Sequence, residues 1–237
     1  MFADLEDTAI NRAVMRKVLS DSEIDSVFAA TGQEARLRQY RAIARTDSEN
    51  KWGHHKRIFV PILLKRDLET RASLTIVDFG AGDGSLGREI LAQAPGARVI
   101  SVDIENNLKS HDTQFVKRSL NAPLDIASGS VDIVCARYVL HHVADLEFAV
   151  RDIYRILRPG GKLLILEHNA YSDIIVHLCE LEHYLYSVLE SGAAAPNYFK
   201  SRVEFDKILI ASRFRGITYR PMRDSATRNY EALYGKK

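Results

Sequence analysis

A glycine-rich segment at Ile76–Gly87 is the first part of this sequence that could do chemistry. It reads IVDFGAGDGSLG, so an apolar run leads into glycines and then into a helix-forming stretch. Glycines let a backbone turn sharply and approach a ligand, while free N–H groups at a helix start bind a phosphate or a carboxylate. The part from Gly82 onward matches the dinucleotide pattern G-x-G-x-x-G, and Asp103 follows about twenty residues later, where a carboxylate binds ribose hydroxyls. The loop alone therefore fits a dinucleotide as well as another ribose-containing cofactor with an anionic end.

Apolar runs and helical segments alternate around this loop and must position it. The runs that read as strands are Leu74–Phe79, Arg98–Asp103, Gln114–Val116, Val131–Ala136 and Lys162–Glu167. The segments that read as helices are Ser85–Ala94, Leu146–Leu157, Ser172–Glu190 and Arg202–Ser212. This alternation predicts an α/β fold whose sheet is mostly parallel, with helices on both faces. Two last strands, Gly216–Arg220 and Arg228–Tyr234, are separated by a short link and predict a C-terminal antiparallel hairpin.

The segment before the first predicted strand carries helical patterns and no strand pattern. We therefore expect residues 1–72 to form a helical cap or lid and residues 73–237 to form the core. An unusual cluster, WGHHKR, lies in the predicted cap, and from it we predict a substrate or lid role for Trp52, His54 and Lys56. The alternative is an ordinary helix start with an anchoring aromatic side chain.

Composition excludes several classes of protein. The two cysteines, Cys135 and Cys179, give no disulfide framework and no cysteine-based zinc site. Neither a signal-peptide core nor a long apolar run is present, so we expect a cytoplasmic protein without a membrane segment. The net charge of +2 argues neither for nor against a polyanionic partner. Basic residues nevertheless outnumber acidic ones in Arg36–Arg71 and after Lys200. Those flanks could meet a nucleic acid such as RNA or an acidic substrate, or could be solvated helix faces. No oligomeric state is indicated.

Five linked segments resemble the class I S-adenosylmethionine-dependent methyltransferases. They are Val77–Gly84, Val102–Ile104, Pro123–Val134, Val139–Asp145 and Arg155–Ile165, in the order and spacing of that family. The resemblance covers about Leu74–His168 and implies a Rossmann-like sheet that binds S-adenosylmethionine for methyl transfer. The segment VLHHVAD looks most like the small-molecule branch. The dehydrogenase alternative lacks a tyrosine followed four positions later by lysine, the proton-donor pair of the short-chain enzymes.

The resemblance also assigns residues to the cofactor. Those implied are Asp78, Gly80, Ala81, Gly82, Asp103, Ile104, Ser119, Leu120, Asn121, Arg137 and His142. The glycine-loop backbone would contact the methionine end, Asp103 the ribose, and Ile104 the adenine face. Relatives present an acidic residue to adenine after the third strand, and here Ser119 or Asn121 stands in that loop. For Arg137 and His142, solvated positions are the alternative.

Candidate chemistry beyond the cofactor lies where the strands end. Methyl transfer mainly requires positioning of the nucleophile, and a general base helps when that nucleophile must lose a proton. Glu167 and His168 end the fifth predicted strand, so we predict them as catalytic. His177 and His183 share one side of the next helix with Glu180, either as a solvated face, a substrate pocket or metal ligands. Because their spacing matches no standard zinc pattern, we predict substrate or lid roles for both histidines and no metal.

Several methyltransferase subclasses are disfavoured by the sequence. No Asn/Asp-Pro-Pro-aromatic motif follows the fourth predicted strand, neither cysteine follows a proline, and Arg137 stands near the place of an RNA 2′-O enzyme's aspartate. We therefore predict a small-molecule acceptor with an oxygen, nitrogen or carbon nucleophile. The alternatives are a cap-type RNA methyltransferase, a protein methyltransferase, and a catalytically silent methyltransferase fold that serves as a partner subunit.

Overall fold

The computed structural model describes residues 5–16, 19–44, 64–70, 73–118, 122–190, 196–222 and 230–237. Its helices are α1 Ala9–Met15, α2 Asp21–Ala29, α3 Gln33–Ile43, α4 Lys65–Thr70, α5 Ser85–Gln93, α6 Leu146–Ile156, α7 Asp173–Glu190 and α8 Arg202–Ala211. Its strands are β1 Thr75–Phe79, β2 Arg98–Asp103, β3 Gln114–Lys117, β4 Val131–Arg137, β5 Leu157–His168, β6 Arg215–Met222 and β7 Tyr230–Lys236. A short 3₁₀ turn, Leu140–His142, follows β4.

The chain divides into two compact units. One combines Met1–Lys51 with Ser172–Asn197, and the other combines Trp52–Tyr171 with Tyr198–Lys237. In the first unit α1, α2, α3 and α7 surround an apolar core that includes Val14, Ile24, Tyr40 and Leu181. The domain boundary between residues 72 and 73 remains a prediction. In the structure α7 belongs to the same compact unit as the N-terminal helices.

The second unit is built on a sheet in which the described strands have the order β3-β2-β1-β4-β5-β7-β6. Strands β1 to β5 are all parallel, which confirms the predicted α/β fold with a parallel sheet. Strand β7 lies antiparallel to both β5 and β6. The link that would close the predicted hairpin falls largely within residues 223–229, outside the described residues.

Burial on both faces explains why the central strands are continuous apolar runs. On one face Ile76, Ile133 and Leu164 pack with residues of α4 and α5. On the other face Val77 and Val134 pack with the apolar sides of α6 and α8. Side chains alternate between these two cores along each strand, so the residues that end β1, β4 and β5 reach the same edge of the sheet. Within the described parts of the chain, no helix has both the length and the apolar character that crossing a bilayer requires.

Candidate active site

The glycine loop between β1 and α5 turns through three left-handed glycines. Gly80, Gly82 and Gly84 have φ angles of +77°, +52° and +75°, a region that L side chains rarely adopt. The N–H groups of Gly80 and Ala81 both donate to the carbonyl oxygen of Val102 in β2, at 2.8 and 3.1 Å. The loop is therefore held against the carboxyl end of the neighbouring strand.

The two sides of the glycine loop differ in the space around them. A Cβ atom at Gly80 would lie 2.2 Å from Cγ2 of Val139, so the residue after β4 occupies the room that a side chain would need. A Cβ atom at Gly82 would meet no atom of the described residues within 4 Å. The loop is thus packed on one side and open on the other, which leaves its backbone accessible to a ligand.

Asp103, at the end of β2, ties the loop to the following segment. One carboxylate oxygen accepts the Gly82 N–H at 2.7 Å, and the other accepts the Ile104 N–H at 2.7 Å. A carboxylate offers about four lone-pair sites, so each oxygen retains the capacity to accept a further hydrogen bond. The side chain of Ile104 is 52% exposed, which leaves an apolar surface beside this carboxylate.

Asp78, in β1, is a buried acid directly beneath the loop. Its side chain is almost fully buried, and Oδ2 has no hydrogen-bond partner among the described residues. The pKa of Asp78 is raised from 3.8 to about 6, mainly because the carboxyl group is buried and also because the Asp103 and Asp83 carboxylates are near. The charge of Arg137 and the N–H of Gly87 oppose these effects. Asp78 therefore carries a negative charge at neutral pH together with an unused acceptor atom.

Arg137, at the end of β4, is the cation that faces this acid. Its Nη2 donates to the Ser85 hydroxyl at 3.1 Å, whereas Nη1 is buried without a partner among the described residues. Asp78 and Arg137 lie on the same face of the sheet, because Asp78 pairs with Cys135, two residues before Arg137. A buried carboxylate and a half-buried guanidinium thus each keep one buried polar atom that has no hydrogen-bond partner among the described residues.

A second buried acid, Glu167, ends β5 and holds the 3₁₀ turn after β4. One of its oxygens accepts the N–H groups of Leu140 at 3.0 Å and His141 at 3.3 Å. The other accepts the His168 N–H at 3.0 Å and lies 2.7 Å from Nδ1 of His141. Burial alone would raise the pKa of Glu167, but the attraction of His141 and His168 and their hydrogen bonds lower it to about 2. This carboxylate is consequently ionised and surrounded by donors.

An aromatic group packs around the imidazole of His141. Phe199 stacks on the His141 ring with centroids 5.1 Å apart and an interplanar angle of 16°. His168 meets both rings edge-on, at 5.0 Å from His141 and 5.4 Å from Phe199. The Tyr198 N–H donates to the His141 carbonyl oxygen at 2.6 Å. His142, by contrast, is exposed on the turn.

Comparison with known protein families identifies what this part of the chain resembles. A family model described as "Methyltransferase domain" matches residues 77–165, which contain the glycine loop, Asp103, Arg137 and the turn. Residues 77–165 are thus similar to a methyltransferase domain. The order of the parallel strands and the placement of the loop after β1 agree with the resemblance seen in the sequence.

Parts of this chain are similar to curated proteins and to solved structures. The chain is 31% identical over 119 residues to the ubiquinone/menaquinone biosynthesis C-methyltransferase UbiE of Hahella chejuensis, which covers 45% of this chain and 47% of that protein. The chain thus spans about half the length of this curated relative. The 1,6-didemethyltoxoflavin-N1-methyltransferase of Burkholderia thailandensis has a TM-score of 0.58 at 18% identity, covering 93% of this chain and 91% of that one. Human N-acetylserotonin methyltransferase has a TM-score of 0.56 at 17% identity, covering 94% and 62%. At these identities the two solved structures show a shared fold.

The carboxyl ends of the strands bring together most of the cofactor residues that the sequence predicts. Asp78, the loop Gly80–Gly82, Asp103 and Arg137 surround one site, and Ile104 borders it. Their contacts with a cofactor remain predictions. Six predicted residues lie outside the described residues, namely Ser119, Leu120, Asn121, Trp52, His54 and Lys56. His177 is exposed on α7, and His183 donates from Nδ1 to the Cys179 carbonyl oxygen at 2.8 Å.

The predicted catalytic pair has surroundings that the sequence does not reveal. Glu167 and His168 are 2% and 5% exposed, so neither presents an open side chain at the edge of the sheet. His141, which the sequence motifs do not assign to the site, is the hydrogen-bonding partner that allows Glu167 to be buried. A signal for it existed, because an acid that ends a buried strand needs donors, and the VLHHV segment supplies a turn with free N–H groups.

A metal is one further ligand that this group could hold. His141, Glu167 and His168 each offer a ligand atom, and these atoms lie within 4.8 Å of one another. Both oxygens of Glu167, however, already accept N–H groups. The charge of the carboxylate is balanced by those donors, so the geometry favours a hydrogen-bonded network over a metal centre.

Proposed function

We propose that this protein is an S-adenosylmethionine-dependent methyltransferase that acts on a small molecule. The observation that carries the proposal is the pair formed by the buried Asp78 and the half-buried Arg137, each of which has one buried polar atom without a hydrogen-bond partner among the described residues. The methionine end of S-adenosylmethionine has an ammonium group and a carboxylate. An acceptor on Asp78 suits the ammonium group, and a donor on Arg137 suits the carboxylate.

The same pair argues against a dinucleotide cofactor. A pyrophosphate is negatively charged and has no cationic group to meet Asp78, which is ionised at neutral pH because its pKa of about 6 lies below 7. A buried carboxylate left without a partner beside a pyrophosphate would be repelled and would carry the full cost of its desolvation. The glycine pattern that fits both cofactors in the sequence therefore favours the amino-acid cofactor once its surroundings are included.

The remaining groups of the site fit the rest of the cofactor. The spare lone pairs of Asp103 suit ribose hydroxyls, and the exposed Ile104 suits the face of the adenine. The open side of the loop at Gly82 allows a ligand to approach the backbone. When bound, the cofactor supplies a methyl group on a sulfonium centre, whose thioether is a good leaving group.

The chain's own task is then to orient the acceptor and, where needed, to remove its proton. Glu167 is a weak base at neutral pH, since its pKa is about 2 and its oxygens are already occupied by donors. We propose His142 for that task, because it is an exposed imidazole on the turn that follows β4, and imidazole titrates near neutral pH. Glu167 and His168, predicted as catalytic from the sequence, are proposed to hold the turn that carries His142.

A small-molecule acceptor is supported by the relatives. The names of the matched proteins give a biosynthesis C-methyltransferase, a didemethyltoxoflavin N-methyltransferase and an N-acetylserotonin methyltransferase. The test is transfer of labelled methyl from S-adenosylmethionine into a cell extract, followed by separation of small molecules, protein and RNA. Label in the small-molecule fraction is expected. Label confined to RNA would contradict the acceptor class, and binding of the cofactor without any transfer would favour a silent partner subunit.

A further inference from the structure

The Glu167 carboxylate joins two strand ends and one turn. It accepts the N–H groups of Leu140, His141 and His168, and it pairs with Nδ1 of His141. We call this set of hydrogen bonds the Glu167 network. A carboxylate can only accept, so all its neighbours must present donors, and the ring of His141 must carry its proton on Nδ1 toward Glu167. The network therefore fixes both the backbone of the turn and the orientation of one imidazole.

The residue before this turn packs against the glycine loop. Val139 immediately precedes the turn, and Cγ2 of Val139 occupies the space beside Gly80, at 2.2 Å from a Cβ atom placed there. The turn can move toward or away from the cofactor loop only if this contact changes. Close-packed interiors transmit small displacements, so a shift of Val139 would be felt at Gly80.

The backbone that enters the turn is itself strained. Tyr138, between β4 and the turn, has a φ of +49°, one of the positive values at non-glycine residues in the described chain. Such conformations persist when the surrounding structure imposes them. Here the Tyr138 N–H donates to the Leu166 carbonyl oxygen at 2.8 Å on one side, and the Glu167 network holds the next residues on the other.

We propose that Glu167 is a positioning residue, whose network sets the turn Leu140–His142 against the glycine loop and thereby controls cofactor affinity. The inference rests on the proposed function for the identity of the ligand. It assigns to Glu167 an effect on binding as well as on turnover, whereas a general base would act on turnover alone. The segment at Tyr198 and Phe199 is held to the same residue, because the Tyr198 N–H donates to the His141 carbonyl oxygen and Phe199 stacks on the His141 ring.

The test compares Glu167→Gln with a matched control, Asp152→Asn. The glutamine amide keeps the shape but turns one acceptor into a donor, which must face at least one N–H of the network. Asp152, in α6, is also a buried carboxylate, and it pairs with Arg155 of the same helix. It accepts the N–H of Leu124, on the segment that leads into β4, at 2.6 Å. Its loss should destabilise the fold without touching the glycine loop.

Two readouts separate positioning from general stability. Hydrogen exchange of the Leu140 and His141 amides, measured without ligand, should quicken by about tenfold or more in Glu167→Gln and stay unchanged in Asp152→Asn. Calorimetry with S-adenosylhomocysteine should show affinity weakened by about tenfold in Glu167→Gln only. Unchanged exchange and unchanged affinity in Glu167→Gln would overturn the proposal. A loss of turnover with both readouts unchanged would also overturn it, because Glu167 would then act in catalysis alone. Wild-type turnover that requires zinc and is lost in EDTA would overturn it as well.

A second variant serves if Glu167→Gln does not fold. His141→Phe keeps an aromatic ring against Phe199 but removes the Nδ1 donor. It should quicken exchange of the Leu140 amide and weaken S-adenosylhomocysteine binding, and wild-type values for both would overturn the proposal. If the wild-type protein itself binds no S-adenosylhomocysteine, the proposed function fails, while the exchange measurement still decides whether Glu167 holds the turn.

Discussion

Val139 occupies the space that a side chain at Gly80 would fill, with Cγ2 only 2.2 Å from a Cβ atom placed on that glycine. We expect Gly80→Ala to destabilise the fold by more than the roughly 1–2 kcal/mol that a left-handed backbone alone costs an L residue. Gly129→Ala is the matched control, because Gly129 has a φ of +69° and no atom of the described residues within 4 Å of its added Cβ. Urea unfolding of the two variants measures the difference. Equal losses of unfolding free energy in the two variants would show that the Val139 side chain can move aside without destabilising the fold.

The raised pKa of Asp78 predicts a stability change with an unusual sign for an acid. Because its pKa is about 6 in the folded protein and 3.8 ordinarily, the folded state binds more protons between these values. The contribution of Asp78 to stability therefore falls as pH rises from about 4 to about 6, by about 3 kcal/mol for two units. We expect Asp78→Asn to gain stability relative to wild type over this window and to keep the gain at pH 7. Denaturant unfolding at pH 4 and pH 7 measures it, and a difference independent of pH would contradict the shift.

Binding of the cofactor should depend on the same proton. An ammonium group needs the ionised form of Asp78, so the affinity for S-adenosylhomocysteine should fall as pH drops below about 6, approaching tenfold per unit. Asp78→Asn should bind weakly at every pH and lose this dependence. Calorimetry from pH 5 to pH 8 provides the measurement. A wild-type affinity that is flat across this range would exclude a pairing between Asp78 and the ammonium group.

His142 should affect turnover and leave cofactor binding unchanged. With an acceptor that must lose a proton, we expect His142→Ala to lower kcat by roughly 100-fold or more, the lower end of general base effects. His111→Ala is a suitable control, since His111 is also exposed but lies on the segment between β2 and β3. Steady-state rates and calorimetry on both variants make the comparison. A full rate for His142→Ala would place proton removal elsewhere or make it unnecessary.

The parallel sheet was predictable because its strands are buried on both faces and appear as continuous apolar runs. Observed β2, Arg98–Asp103, has the predicted bounds, and β1 differs by one residue at its start. Strand β5 was harder, because it begins at Leu157 and passes through Pro159 and two glycines, which are turn residues in a local pattern. The placement of β7 between β5 and β6 depends on long-range pairing that no local pattern contains.

The site was predictable where function depends on backbone and fixed spacing, and less so where it depends on packing. The glycine loop and Asp103 lie where their motifs indicate. Glu167 reads in the sequence as an accessible acid at a strand end, but the turn at Leu140–His142 closes over it. That burial comes from residues 26 and 27 positions away, so spacing alone gives no indication of it. Likewise, the unused atoms of Asp78 and Arg137 become apparent only when their neighbours are known.

The pairing of Arg137 and Asp78 with a methionine end is tested most directly by comparing two ligands. S-Adenosylhomocysteine carries the ammonium and carboxylate groups, whereas 5′-methylthioadenosine keeps the adenosine and lacks both. We predict by calorimetry that Arg137→Gln weakens S-adenosylhomocysteine binding by roughly 1.5–3 kcal/mol, the range for a hydrogen bond to a charged group, and leaves 5′-methylthioadenosine binding unchanged. Asp103→Ala, which removes the ribose acceptor, should weaken both ligands alike. Equal losses for the two ligands in Arg137→Gln, or tight binding of NADH by the wild-type protein with none of S-adenosylhomocysteine, would contradict the account.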